Sequence, residues 1–312
     1  MVDNLENSTF SVDPVRRRAG MSLVLAGALR SSRGRAAAAI LLAVLAVAVI
    51  GPFVAPYSAT EVVTATFNTP GVGHLVGGDN LGRDVLSRVL HGGWALILLA
   101  LAATAIGLAV GAVAGLMAAY VGGKTDAVIM RVVDIVLALP QIIFALLLLS
   151  VVGPKVWLLV VAVGMSHAPQ VARVVYAAAQ DVTERDFVKV AQLWGMRPFK
   201  VITSEILPNL LTPLMVEAGL RMSYSVIMIS GLSFLGFGRQ PPAADWGLMI
   251  NENRLGLYTN PWCMALPALL IALLAVGINM FTDAIARASL GEERGEDAVL
   301  SSSLGTVVEK QA

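Results

Sequence analysis

The amino-acid sequence predicts an all-α, polytopic membrane protein of about six transmembrane helices, and three observations predict it. Hydrophobic residues make up 57% of the 312 and charged residues only 14%, with a mean hydropathy of +0.76. Soluble domains keep about a quarter of their residues charged, so lipid is the expected main solvent. The apolar residues lie in uninterrupted runs, and the Lys and Arg residues lie between those runs with a strong bias to one side.

A helix crossing a hydrocarbon core about 30 Å thick needs about 20 mainly apolar residues. Runs of that kind occur at 36–54, 94–120, 132–152, 156–176, 208–237 and 264–286. The first is uncharged and follows a lead, 1–35, read as cytoplasmic and partly disordered. It ends in Gly51-Pro52-Phe53-Val54-Ala55-Pro56, which is no small-residue cleavage site, so a retained anchor is expected. The second is bounded by Trp94 and Tyr120, as an interfacial belt would be. The third and fourth are hinged at Gly153-Pro154-Lys155, and Pro140 within the third predicts a kink. The fifth starts at Pro208, and the sixth precedes a polar tail, 291–312, read as disordered.

The basic residues orient these spans. With the N-terminus inside, Arg16, Arg17, Arg18, Arg30, Arg33 and Arg35 precede the first span, and Lys124 and Arg131 lie near the second inner connection. Arg173, Arg185, Lys189, Arg197 and Lys200 follow on the inner side, and Arg287, Arg294 and Lys310 close the chain. Arg83, Arg88, Lys155, Arg239 and Arg254 fall outside, and Arg221 within a span. Cytoplasmic loops carry the excess of Lys and Arg, so both termini are expected inside. The whole sequence carries a formal net charge of +1, which gives no general attraction to nucleic acid.

Several chemistries are excluded. The single cysteine, Cys263, permits no internal disulfide and no cysteine-ligated metal or cluster. His74, His91 and His167 are scattered, and no G-x-x-x-x-G-K-[ST] phosphate loop is present. No catalytic residue, cofactor site or metal site is expected, and a nucleotide would have to be bound by another chain. His167, near Pro169, is read as an interfacial hydrogen-bonding residue.

The inner segment 181–208 is the most informative. Thr183 followed by Asp186 is the pattern of an N-cap with an acid in the first turn. Phe187, Val190, Ala191 and Trp194 then recur at i, i+3, i+4 and i+7, opposite Arg185, Lys189 and Gln192. Gly195 stands where a left-handed C-cap is wanted, and Pro198 suits the first turn of a second helix that carries Val201, Ile202 and Ile206 towards Leu207 and Pro208. The apolar stripe needs a cover: the membrane surface, this chain's own spans, or a cytoplasmic partner.

Three stretches carry a resemblance. Ala191-x-x-x-Gly195 with Leu207-Pro208 resembles the "EAA" coupling loop of ATP-binding-cassette importer permeases. The run from Gly78 to Arg88 resembles G-T-D-x-x-G-R-D-x-x-S-R of the dipeptide/oligopeptide permease family. Ser233-Phe234-Leu235-Gly236-Phe237-Gly238, with Gln240-Pro241-Pro242 and Asp245-Trp246-Gly247, resembles that family's S-F-L-G-x-G-x-Q-P-P-x-x-x-W-G run. All three occur in register with the spans, from about residue 35 to 287, and the chain looks most like the second ("C") permease subunit. It departs from the family at Lys189, where an acid is expected, at Glu205, often His, and at Gly93-Trp94, often Ala-Arg.

The resemblance implies a type I importer architecture in a bacterial inner membrane. It also implies a homologous permease subunit as partner, two cytoplasmic ATPase subunits that use ATP and Mg, and an extracytoplasmic binding protein. Arg185, Asp186, Phe187, Lys189, Val190, Ala191, Trp194, Gly195, Pro198, Leu207 and Pro208 would form the ATPase-coupling loop. The implied cargo is a di- or oligopeptide, with nickel chelates or glutathione as alternatives within the family. An ion-coupled secondary transporter would need several midplane acids or an inverted repeat, and neither is seen. An intramembrane enzyme would need a nucleophile or metal constellation.

Within the spans, Glu217 and Arg221 stand four apart, on one helix face. They are read as a structural pair or as part of a path or gate. Ser223, Ser225, Ser230 and Ser233 are candidates for a polar pore lining, although serine also bonds back to its own helix. Asp134 is read as a partner of Arg131 or Arg221. Gly107, Gly111 and Gly115 predict close helix packing within this chain. On the outside, Arg83, Asp84, Arg88 and Trp246 are read either as a contact for the binding protein or as a self-satisfied cap over an outer gate.

Overall fold

The computed structural model describes residues 21–309. They form eleven α-helices and, among the described residues, no strand: α1 Met21–Arg30, α2 Ser32–Val54, α3 Val85–Val121, α4 Gly123–Leu137, α5 Gln141–Val152, α6 Val156–Thr183, α7 Asp186–Leu193, α8 Pro198–Val201, α9 Leu211–Phe234, α10 Trp246–Glu252 and α11 Trp262–Glu309. The first part of the lead, where disorder is expected, lies outside these residues. From Met21 the lead is helical. The chain also stays helical to Glu309, where the sequence reading places a structureless tail from 291; that stretch lacks an apolar stripe but carries four Glu, a good helix former.

Four helices are long and apolar enough to cross a membrane: α2, α3, α6 and the Trp262–Ser289 part of α11. A fifth span results if α4 and α5 are counted together, across a bend of 85°. The bend falls at Pro140, whose missing N–H and fixed ring end the helical hydrogen-bond ladder. The remaining expected span corresponds to α9. It has the length, 24 residues, but Glu217, Arg221 and its serines lower its apolarity.

The bundle is centred on α3 and α6. Glycine makes their contact possible. A Cβ on Gly107 would lie 2.9 Å from the Gly164 carbonyl oxygen, and one on Gly111 2.5 Å from that of Ala168. One on Gly115 would lie 2.5 Å from that of Ala172. Gly164 returns the favour from α6, with Ile106 Cβ only 2.9 Å from where its own Cβ would be. The glycine row therefore packs within this chain, as expected. Around this seam, Leu96, Leu159, Ile229, Leu232 and Leu274 fill a common core from α3, α6, α9 and α11. A second cluster at the other end joins Val175, Ala179 and Val182 of α6 to Val188, Ala191, Val201, Ile206 and Leu210.

Candidate functional site: inner segment, polar seam and outer cap

Segment 181–208, read as the inner segment, is a helix, a glycine turn and a second short helix. α7 starts after Arg185 in extended conformation, without a side-chain cap. Thr183 is not the N-cap: it closes α6, its hydroxyl donating to the Gln180 carbonyl at 2.9 Å. α7 ends in a Schellman motif. Gly195, at φ +73°, donates to the Gln192 carbonyl at 2.9 Å, and Met196 donates to that of Ala191 at 3.2 Å. Pro198 opens α8 as expected. The chain then runs through a π turn, Ile202–Ile206, and a 3-10 turn, Leu207–Leu210, into α9. Pro208 cannot donate to the ladder, and the Leu207 N–H reaches back five residues to the Ile202 carbonyl.

The face that α7 buries differs from the expected stripe. Val188 and Ala191 point inward, whereas Phe187, Val190 and Trp194 are exposed, Trp194 to 83%. Leu193 at 84% and Phe199 at 78% extend the same surface; neither was singled out in the sequence. The segment is thus two-faced. Val188, Ala191, Val201, Ile206 and Leu210 clamp it to the end of α6, and five large apolar side chains stand free on the other side. Arg185, Asp186 and Lys189 are exposed beside them.

A polar seam runs up from this end between α4, α5, α6 and α9. Arg221 is paired with Glu217 at 2.7 Å, and its Nη1 donates to Gln170 Oε1 at 3.0 Å. The Gln141 amide donates to the same Gln170 oxygen at 2.6 Å and to the Ser166 carbonyl at 3.1 Å. The Arg221 guanidinium also lies 5.2 Å from the Tyr224 ring centroid. Asp134 pairs with Arg173 at 2.5 Å, not with Arg131 or Arg221. On α9 the seam reads Glu217, Arg221, Tyr224, at i, i+4 and i+7; on α6 it reads Ser166, Gln170, Arg173. Gln141, Gln170, Arg173 and Tyr224 were not identified as candidates from sequence. The helical spacing of polar residues along α6 was the available signal.

The serines lie elsewhere. Ser223 donates to the Ala275 carbonyl of α11 at 3.2 Å, and Ser225 bonds Thr104 of α3 at 3.0 Å. Ser230 and Ser233 are buried beneath the outer loop, with Ser233 Cβ 2.8 Å from where a Cβ on Gly247 would be. Ser223, Ser230 and Ser233, read as a pore lining, are thus all buried inside this chain: Ser223 joins α9 to α11, and the hydroxyls of Ser230 and Ser233 have no hydrogen-bond partner among the described residues. His167 is fully buried at the α3–α6 contact with neither ring nitrogen hydrogen-bonded, so the interfacial role expected for it is corrected.

The cap at the opposite end of the bundle, read as outer, is built from the 55–84 segment and the loop containing α10. Arg88 Nη1 reaches Asp79 Oδ2 at 2.6 Å and Glu252 Oε2 at 2.7 Å. Arg83 meets the same carboxylates at 2.6 and 3.3 Å. Asp84 caps α3, accepting from the Ser87 N–H at 2.8 Å and hydroxyl at 2.7 Å. Trp246 donates from its indole to the Val89 carbonyl at 2.8 Å, against Gly92 and Gly93, where any Cβ would come within 3 Å of the ring. The glycine at 93 is therefore matched to this tryptophan. Nearby, burial pushes the Asp245 carboxyl up, opposed by the Leu248 N–H and by Arg239. Arg83, Asp84, Arg88 and Trp246 are each no more than 2% exposed, so they form the interior of a cap and present no surface to a docking protein. Asp79 and Glu252, the acids that hold it, were not named as candidates from sequence.

Known proteins agree with this architecture. The family described as binding-protein-dependent transport system inner membrane component matches residues 111–290. The chain is 33% identical to a probable D,D-dipeptide transport system permease protein of Escherichia coli, across 80% of this chain and 84% of that one. It is 34% identical to a putative peptide transport system permease protein of Brucella suis, across 91% and 96%. A di/tripeptide transport system permease protein of Pseudomonas aeruginosa is likewise 34% identical, across 76% and 81%. With its long apolar helices, its two-faced inner segment and this extended similarity, the chain belongs to the family of inner membrane components of binding-protein-dependent transport systems.

Proposed function

We propose that this chain is one permease half of a peptide importer and that segment 181–208 couples an ATPase to the spans. In this reading a homologous permease subunit supplies the other half of the path. Two cytoplasmic ATPase subunits bind ATP and Mg, and an extracytoplasmic protein delivers a di- or oligopeptide. Both termini lie in the cytoplasm, the side the basic residues favour. The chain itself performs no bond chemistry. The observation that carries the reading is the exposed apolar face of Phe187, Val190, Leu193, Trp194 and Phe199 on a segment whose opposite face is clamped to α6. Large aromatic anchors of this kind dominate protein interfaces. A push on that face moves Val188, Ala191 and Val201, and hence the inner ends of α6 and α9. Glu217 and Arg221, with Gln170, then line the path near its inner mouth.

The test replaces Leu193 and Trp194 together by Ser. Both side chains are more than 80% exposed, so the fold should keep its membrane yield. Loss of a hot-spot pair costs about 2 kcal/mol or more, about 30-fold in affinity. Co-purification of the ATPase subunits and uptake of a labelled dipeptide should both fall accordingly. Unchanged co-purification with full uptake would refute the assignment.

A further inference from the structure

A cavity of about 690 Å³ opens where α1, the first turn of α2 and α11 meet. Its apolar wall includes Met280 and Ala284, and its polar rim carries Ser32, Arg33, Asp283 and Arg287. The corner that makes it is built. Ser31 accepts from the Gly34 N–H and donates to the Ala28 carbonyl, both at 2.9 Å, and a Cβ on Gly34 would fall 1.9 Å from that carbonyl oxygen. α1 is thereby folded sharply against α2 and held on α11 by Ala28 with Ala284 and Ile285. The two arginines come from different helices, and among the side chains described, those of residues 25–289, neither has an ion-pair partner. Asp283 is the one acidic residue among the lining residues, against the two arginines.

The depth of the site is set by the spans themselves. The uncharged run of α2 begins just past Arg35, and that of α11 ends just before Asp283, one helical turn from Arg287. Both guanidinium groups therefore stand at the level where a bilayer's headgroups begin. We infer that this cavity binds the phosphate-bearing headgroup of an anionic phospholipid, with Arg33 and Arg287 on the phosphate and the Met280–Ala284 wall along the glycerol and first acyl carbons. Basic pockets between spans favour such headgroups, each arginine contributing about five-fold in affinity. The inference is independent of the proposed transport role.

The test uses the full chain purified in a neutral detergent and titrated with phosphatidylglycerol or phosphatidylcholine, with bound lipid counted by native mass spectrometry. Phosphatidylglycerol should bind at least ten-fold more tightly. Arg33→Gln with Arg287→Gln should remove about 25-fold of that affinity. Asp283→Asn, which deletes a repulsive charge, should raise it by several-fold, a gain that misfolding cannot imitate. Equal retention of the two lipids, or no gain in Asp283→Asn, would overturn the proposal. Displacement of phosphatidylglycerol by millimolar inorganic phosphate alone would also overturn it, by making free phosphate the occupant.

Discussion

Arg88 is fully buried, and its guanidinium is shared by Asp79 and Glu252 while Nη2 donates to the Ala243 carbonyl at 3.3 Å. Such a group matters less for the energy of the pair than for what its removal leaves behind, two carboxylates sharing only Arg83 in a site that excludes water. Arg88→Ala should therefore destabilise the protein by about 3–5 kcal/mol. Leu255→Ala, in the same outer region but 78% exposed, should cost less than about 0.5 kcal/mol. Thermal unfolding in detergent compares the two, and a similar midpoint for both variants would mean that the cap is not held by its charges. The sequence shows Arg83, Asp84 and Arg88 as a charged cluster, and its local half was legible: Asp84 capping α3 is a relation three residues long. Burial was not legible, because Glu252 approaches from 164 residues further along the chain, and no local pattern announces that contact.

At the level of elements, the glycine row on α3 converts spacing into helix approach. Gly111→Val would push its Cβ to 2.5 Å from both the Ala168 carbonyl oxygen and Val171 Cβ, and backbone on that side cannot yield cheaply. The expected cost is about 1–3 kcal/mol, with a lower yield of monodisperse protein by size exclusion. Gly231→Ala on α9, where a Cβ meets nothing within 4 Å, should instead be neutral or gain up to about 1 kcal/mol from helix propensity. Equal behaviour of the two variants would remove the glycine seam as the cause of the α3–α6 contact. The row, the break at Pro140 and the glycine cap at Gly195 were all legible, because each depends on one residue's backbone geometry. The buried face of α7 was not. The stripe Phe187, Val190, Trp194 satisfies a helical period equally well whether it faces this chain or another, and only the fold shows that Val188 and Ala191 take the inner side.

For the molecule as a whole, charged and amide side chains on a bundle of apolar helices pose a single question of which medium they face. Asp134 and Arg173 are paired yet 45% and 61% exposed, and Gln170, Arg221 and Tyr224 continue the same seam. Lipid would leave such groups poorly solvated, since a charge near the bilayer centre costs about 2.5–3.5 kcal/mol even by the lower estimates. Water does not, and a water-lined seam rising from the inner segment is what a path through the bundle requires. Cysteine scanning distinguishes the media with little background, because the native Cys263 is fully buried. In inside-out vesicles, Gln170→Cys, Arg173→Cys and Tyr224→Cys should react with a membrane-impermeant thiol reagent at least ten-fold faster than Leu147→Cys, whose position on α5 is 63% exposed on an apolar face. Under the proposed coupling role, added nucleotide and binding protein should change the rates at the seam and leave Leu147→Cys alone, since the seam and not the apolar face of α5 would then alternate between the two sides. Equal reactivity at all four positions would place the seam in lipid or against another protein, and the path would then have to be sought on a different face of α9.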